Sequence, residues 1–151
     1  MNRWPLPEPM RLALAEAGQA ATLGEVPIGA VIVKDGVVIA AAHNRTRALP
    51  DPTAHAELLA IRAAAQALGQ ERLEGCELWV TLEPCAMCAG AIAHARLSRL
   101  YYAAPDPKGG AVEHGARVFE QAQCLHRPEV YAGMGEAEAA EQLRAFFRER
   151  R

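Results

Sequence analysis

A tight hairpin followed by a regular alternation of helices and strands constrains the fold of this chain more than any other feature. Two apolar runs flank Asp35-Gly36, a dipeptide typical of two-residue turns between antiparallel strands. Two segments with helical spacing then alternate with two further strand-like runs. This order predicts helices packed on a mixed sheet. The strands are expected at 28–34, 37–42, 77–82 and 99–104, and the helices at 54–68 and 84–95.

The ends of several predicted helices carry recognisable stop and start residues. An amphipathic helix is expected over 10–22, after Pro9 and before Gly24. Thr53 is the expected N-cap of the helix at 54–68, and Gly69 its stop. Pro84 is expected in the first turn of the helix at 84–95, where proline is tolerated. Weaker patterns predict a helix near 116–123, an extended piece at 129–132 and a final helix at 136–148.

The size and charge of the chain limit the kinds of protein it can be. Its 151 residues, 51% of them hydrophobic, suit one domain spanning 1–151. The formal net charge of −2 implies no general surface for polyanions, although a local basic patch is compatible with it. No apolar run approaches the ~20 residues of a membrane span, and the N-terminus lacks the apolar stretch of a signal peptide. We therefore expect a cytoplasmic protein without a membrane partner.

Cys85 and Cys88 lie three residues apart at the start of a predicted helix. This spacing places both thiols on one face, near enough to share a metal ion. In a cytoplasmic chain such a pair indicates metal binding or catalysis before a disulfide. A redox pair and two plain thiols stay open as alternatives at this point. Cys76 and Cys124 have no evident partner and are interpreted as plain thiols.

His55 is the best candidate for a third ligand because it also opens a helix, and Glu57 follows two residues later. Residues at i and i+2 reach one point only where a helix begins and its side chains extend past its end. Two helix N-termini would then converge on the ion, and both favour anionic thiolate ligands. Three protein ligands leave a position open for water, as in catalytic zinc sites. The other histidines, expected to be exposed or locally hydrogen-bonded, are His43, His94, His114 and His126.

Glu57 has two interpretations. Alone, it reads as a solvated helix glutamate. Beside His55 and the cysteines, its carboxylate is suited to take a proton from an activated water and to pass it to a leaving group. The sequence thus predicts Zn²⁺, one ion per subunit, held by His55, Cys85 and Cys88, with Glu57 as the catalytic acid and base.

The pattern H-A-E at 55–57 with P-C-A-M-C at 84–88 resembles the signature of zinc-dependent nucleoside and nucleobase deaminases. Longer stretches, spread over nearly the whole chain, resemble the bacterial tRNA adenosine deaminases in particular. These stretches are EVPIGAVIV at 25–33, HNR at 43–45, DPTAHAE at 51–57, TLEPCAMCAGAI at 81–92 and FFRERR at 146–151.

The resemblance implies a fold and a reaction. The fold is the three-layer α/β/α arrangement of cytidine deaminases, with a central mixed five-stranded sheet flanked by helices. The reaction is the hydrolytic conversion of the wobble adenosine of a tRNA anticodon to inosine, a cleavage of a C–N bond in a cyclic amidine. Hydroxide attacks C6 of adenine, ammonia leaves, and Glu57 shuttles the proton. A homodimer that binds an anticodon stem-loop across both subunits is also implied.

The resemblance further implies four substrate contacts. Asn44 corresponds to the asparagine that hydrogen-bonds the flipped base, a role for which an amide is chemically suited, and the backbone of Ala56 contacts the purine. Asp106 and Lys108 match a loop that lies against the anticodon backbone. Without the family, Asn44 and PDPKGG at 105–110 are simply turn residues.

Two regions bear on RNA recognition. Residues 111–128 diverge from the family pattern beside the expected substrate entrance. The last helix carries a basic face suited to phosphates, although cations also favour a helix C-terminus on their own account. The basic residues are Arg144, Arg148, Arg150 and Arg151.

Two other functions compete with this interpretation. A deaminase of free guanine or cytosine bases or nucleotides would use the same metal chemistry, because the zinc motif serves either ring. Near-neutral net charge favours it, whereas FFRERR and HNR favour the tRNA enzyme. A non-enzymatic zinc-stabilised module would need a fourth protein ligand, for which no further Cys or His is well placed, and it would leave Glu57 without a role.

Overall fold

The computed structural model describes residues 5–150 and contains one five-stranded sheet. The strands are β1 (Gly29–Lys34), β2 (Val37–His43), β3 (Cys76–Leu82), β4 (Arg99–Ala104) and β5 (Glu129–Ala132), and the helices are α1 (Glu8–Thr22), α2 (Ala56–Leu68), α3 (Ala86–Ala95) and α4 (Glu136–Glu149). The spatial order is β2-β1-β3-β4-β5. β1 is antiparallel to β2 and β3, whereas β3, β4 and β5 are parallel. The predicted mixed sheet is confirmed.

The two faces of the sheet carry separate apolar clusters, which follow from the alternation of side chains along each strand. On β1, Ala30 and Ile32 pack with the buried residues of α2 and α3. Val31 and Val33 point to the other face and pack with the buried residues of α1 and α4. The result is the three-layer α/β/α arrangement expected from the sequence.

The Asp35-Gly36 turn forms as predicted, with φ of 50° and 76° at the two residues, the left-handed values that this hairpin turn requires. Gly29, at the other end of β1, is needed for a different reason. A Cβ atom there would lie 2.0 Å from the carbonyl oxygen of Ala13. Its missing side chain lets β1 lie directly against α1.

Several predicted boundaries differ from the structure. α1 begins at Glu8, so Pro9 lies within its first turn. α3 begins at Ala86, with Cys85 as its N-cap, so Pro84 precedes the helix. Thr53 is not the N-cap of α2; His55 occupies that position, and the Thr53 N–H and hydroxyl both bond Asp51. In place of a helix near 116–123 there is a single 3₁₀ turn, Val118–Glu120.

No helix in the described part of the chain combines the length and the apolar composition needed to cross a bilayer.

Candidate metal centre and active site

His55, Cys85 and Cys88 come together beyond the C-terminal end of the central strand β3, although about 30 residues separate His55 from the two cysteines. The Nδ1 atom of His55 lies 3.6 Å from the Cys85 sulfur and 3.5 Å from the Cys88 sulfur. The three donor atoms all lie within 4.8 Å of one another. Cys88 is buried, and the other two are partly exposed.

These separations suit a zinc ion. With bonds of about 2.3 Å to sulfur and about 2.0 Å to nitrogen, the edge between N and S in a tetrahedral site is about 3.5 Å long. One imidazole and two thiolates are also a donor set that zinc prefers. Among the described residues, no other group of His, Cys, Asp and Glu side chains forms such a cluster.

Two helix starts and the end of a strand position these donors. His55 is the N-cap of α2 and Cys85 the N-cap of α3, and neither cap makes a side-chain hydrogen bond to its own helix. Both side chains are therefore free to point past the helix ends, as the spacing argument requires. The two N-termini carry partial positive charge toward the same point, which favours thiolates.

The pKa values of the two thiols move apart. Because Cys88 donates a hydrogen bond to the Cys85 sulfur, the pKa of Cys85 is lowered to about 4, and its contact with His55 acts in the same direction. The pKa of Cys88 is raised by the same hydrogen bond and by burial. A metal ion that binds there would take both sulfurs as thiolates.

Glu57 lies in the first turn of α2 and is only 4% exposed. Burial is the main cause that raises its pKa to about 7, and the nearby negative charge of Cys85 adds to the rise. The interpretation of Glu57 as a solvated helix residue is therefore wrong. A buried carboxylate with a raised pKa beside a ligand cluster is typical of a catalytic site.

Asn44 is buried and bonds the start of α2. Its Oδ1 accepts the N–H of Ala56 at 2.8 Å, so it satisfies one of the free donors at the helix N-terminus, the task that the sequence had assigned to Thr53. Since Ala56 directly follows His55, this hydrogen bond places Asn44 beside the candidate metal ligand. Their contact with a purine stays a prediction, with the side-chain amide of Asn44 as the group available to it.

Asp106 and Lys108 lie in the loop that follows β4. Oδ1 of Asp106 accepts the N–H of Lys108 at 3.2 Å and of Gly109 at 3.0 Å, so this carboxylate forms the turn. The side chain of Lys108 is exposed. Their contact with RNA likewise stays a prediction.

The remaining histidines behave largely as expected. His43 bonds Glu16, His114 bonds Glu83, His126 bonds the carbonyl of Leu97, and His94 is exposed. The C-terminal basic face is partly neutralised, since Arg144 and Arg148 each lie 3.0 Å from Glu141. Arg150 lies over the ring of Phe146, and Arg151 is outside the described residues.

Two buried glutamates that were not predicted from the sequence lie beneath the loops that border the site. Glu25, 1% exposed, accepts the N–H groups of Arg47 and Ala48, in the loop that leads to His55. Glu83, 2% exposed, accepts N–H groups from the loop after β4. A charged residue at the edge of an apolar stretch was the available signal, but the partners of both glutamates lie more than twenty residues away.

A family profile and a curated relative that match this chain are both deaminases. The family profile of the MafB19-like deaminases matches residues 7–151. A tRNA-specific adenosine deaminase of Agrobacterium fabrum is 63% identical over 142 residues, which cover 94% of this chain and 93% of that protein.

Two solved structures are informative. One, from work on A-to-I editing by tRNA:A34 deaminases at the wobble position of transfer RNA, superposes with a TM-score of 0.88 at 62% identity. It covers 89% of this chain and 98% of its own. A guanine deaminase of Bacillus subtilis superposes with a TM-score of 0.66 at 33% identity, over 96% of this chain and 95% of its own. The guanine deaminase is therefore the more distant of the two.

Proposed function

We propose that this chain, which belongs to the bacterial tRNA-specific adenosine deaminases, hydrolyses the wobble adenosine of a tRNA anticodon to inosine. The observation that carries this function is the high identity to a tRNA-specific adenosine deaminase in a chain that also places one imidazole, two thiols and a buried carboxylate at one point. In the reaction, water adds at C6 of adenine, the bond from C6 to its amino nitrogen breaks, and ammonia leaves.

We infer that His55, Cys85 and Cys88 hold the metal, one zinc ion per subunit. The support is the match of their donor separations to a tetrahedral zinc site. Zinc bound there would activate water for attack on a ring carbon that carries an amino group.

The chain's own residues carry the other tasks. The carboxylate of Glu57 takes the proton from the attacking water and delivers it to the departing amino group, and its burial keeps bulk water from competing for that proton. Asn44 binds the purine edge through its side-chain amide, beside the backbone of Ala56. Lys108 and the backbone of the loop after β4, which begins its turn at Asp106, meet the phosphates of the anticodon.

A substrate panel tests the function. Purified protein is incubated separately with an anticodon stem-loop that carries a wobble adenosine, with free adenosine, with guanine and with cytosine. We expect inosine in the stem-loop and no turnover of the three small substrates. A stem-loop in which the wobble adenosine is replaced by guanosine serves as the matched control. Turnover of guanine or cytosine alone would contradict the proposal and favour the free-base deaminase.

The assembly and the location are further parts of the proposal. We propose a single deaminase domain over 1–151 that acts as a homodimer, by resemblance to the family, and a cytoplasmic site of action, where its tRNA substrate is found. Light scattering on the protein eluting from a sizing column measures the mass, for which we expect twice the 16.2 kDa of one chain. A measured mass equal to that of one chain, at the concentration used for the assay, would contradict the proposed homodimer.

A further inference from the structure

The carboxylate of Glu83 receives five N–H groups from a single loop. Oε1 accepts the backbone N–H of Asp106 at 3.0 Å and the Nδ1–H of His114 at 2.8 Å. Oε2 accepts the backbone N–H groups of Val112, Glu113 and His114 at 3.1, 2.9 and 3.1 Å. The side chain is completely buried, and within residues 5–150 its hydrogen bonds all come from this loop. The loop therefore folds around one anion.

The chemistry of this arrangement requires a carboxylate. All five partners are donors, and only an ionised acid offers acceptors alone. The five N–H donors compensate the loss of water around the buried negative charge. An amide at this position would turn its own NH₂ toward N–H groups and leave buried donors unpaired.

Glycines let the loop approach the carboxylate closely. A Cβ atom on Gly110 would lie 2.5 Å from Cδ of Glu83 and 2.6 Å from the carbonyl oxygen of Asp106. A Cβ atom on Gly115 would lie 2.5 Å from the carbonyl oxygen of Gly110. A side chain at Gly110 would therefore push the loop away from Glu83, and one at Gly115 would clash within the loop.

The same loop is fixed to the start of α3. The N–H of Ala111 donates to the carbonyl oxygen of Pro84 at 2.8 Å, and Pro84 precedes the ligand Cys85. Glu83 directly follows β3, so one short stretch, 83–85, bonds the loop and also supplies a metal ligand. Lys108 lies on the exposed side of that loop.

We propose that Glu83 is a positioning residue for RNA. It fixes the loop 105–114 to the segment that carries Cys85, so that the anticodon phosphates bind at a set distance from the reacting base. This role rests on the proposed function, since it needs a substrate that reaches beyond the base. Glu83 touches neither the metal nor the base in this role.

The test compares Glu83→Gln with Glu77→Gln. Glu77 lies near the start of β3, the strand that Glu83 follows, and there it pairs with Arg99. We expect Glu83→Gln to keep one zinc per chain and to weaken the Kd for the anticodon stem-loop by about tenfold to 10²-fold, the effect of losing one charge-assisted hydrogen bond to a phosphate. Amide exchange at Val112 and Glu113 should accelerate. Glu77→Gln should change neither the Kd nor the exchange.

A second variant covers the case in which Glu83→Gln does not fold. Gly110→Ala displaces the loop by its added methyl group and changes no charge, and we expect it to weaken the Kd in the same direction. If either folded variant binds the stem-loop as tightly as the parent, the positioning role is wrong. Rapid exchange of the amides at 112–114 in the parent protein would also overturn it, without any variant. A parent that deaminates no stem-loop refutes the proposed function, whereas an active parent with an unaffected Glu83→Gln refutes only this inference.

Discussion

At the scale of single residues, Asn44 has two tasks that can be separated. Its Oδ1 bonds the first N–H of α2, at Ala56, whereas its side-chain NH₂ is the group that we assign to the base. The first task supports His55, which is the N-cap of the same helix. One side chain thus connects the position of a metal ligand to the recognition of the substrate.

Asn44→Asp should separate these tasks. The aspartate keeps an acceptor for Ala56 and adds a negative charge at a helix N-terminus, which is favourable. It loses the amide donor, so kcat/KM for the stem-loop should fall by about tenfold to 10²-fold, the equivalent of a hydrogen bond worth about 1.4–2.7 kcal/mol. Thermal melting should stay near the parent value. Asn44→Ala, which loses the helix cap as well, should cost about 1 kcal/mol of stability; an unchanged kcat/KM in both variants would remove Asn44 from the pocket.

Glu57→Gln tests the proton transfer. The substitution keeps size and burial but removes the base, so turnover should fall by about 10²–10⁴-fold with the zinc content unchanged. Zinc is measured by mass spectrometry on the same sample that is assayed. Cys85→Ala should instead lose the metal. A Glu57→Gln variant with most of the parental rate would show that another group moves the proton.

At the scale of elements, the sequence predicted what depends on local pattern and missed what depends on distant partners. Period-two and helical spacing were sufficient for the strands and the long helices. The prediction that Thr53 caps α2 was wrong. The Thr53 hydroxyl donates to Asp51, and the N–H of Ala56 donates to Asn44, which lies 12 residues before Ala56. His55 and Cys85 were found because a helix start lets ligand side chains project. Glu83 was missed because its partners belong to a loop more than twenty residues away.

The contact between β1 and α1 gives a prediction on stability. Gly29→Ala should destabilise the fold by about 1–3 kcal/mol, because its Cβ atom would overlap the backbone of α1. Gly18→Ala is the matched control within α1, since its Cβ atom would meet only Nε2 of Gln142 at 3.9 Å. Alanine in a helix interior is favoured by about 0.5–1 kcal/mol. Urea denaturation measures both, and a Gly29→Ala variant as stable as Gly18→Ala would contradict this packing.

At the scale of the whole molecule, the metal ligands join segments that are distant in sequence. His55 belongs to α2 and the two cysteines to the start of α3, with the whole of β3 between them. An ion held by all three closes this part of the chain into a loop, which restricts the unfolded chain and favours the folded one.

Metal removal should therefore lower the thermal stability. At a free zinc concentration of a hundred times the Kd, binding stabilises the folded state by about 2.7 kcal/mol. A chain of this size shifts its Tm by about 2–4 °C per kcal/mol. Calorimetry before and after chelation, and after zinc is restored, measures the shift. Cys85→Ala is the control, and its Tm should not respond to zinc; an equal response in parent and variant would place the metal elsewhere.

The Asp35-Gly36 turn lies at the ends of the strands opposite to the ligands. Lys34, which precedes it, pairs with Cys76 at the start of β3, whereas Asn44 and Cys85 follow the other ends of their strands. A fluorophore or an affinity tag inserted in this turn would thus be separated from bound RNA by the length of the strands. The turn is therefore a suitable position for attaching the enzyme to a surface or to another protein while its active site stays accessible.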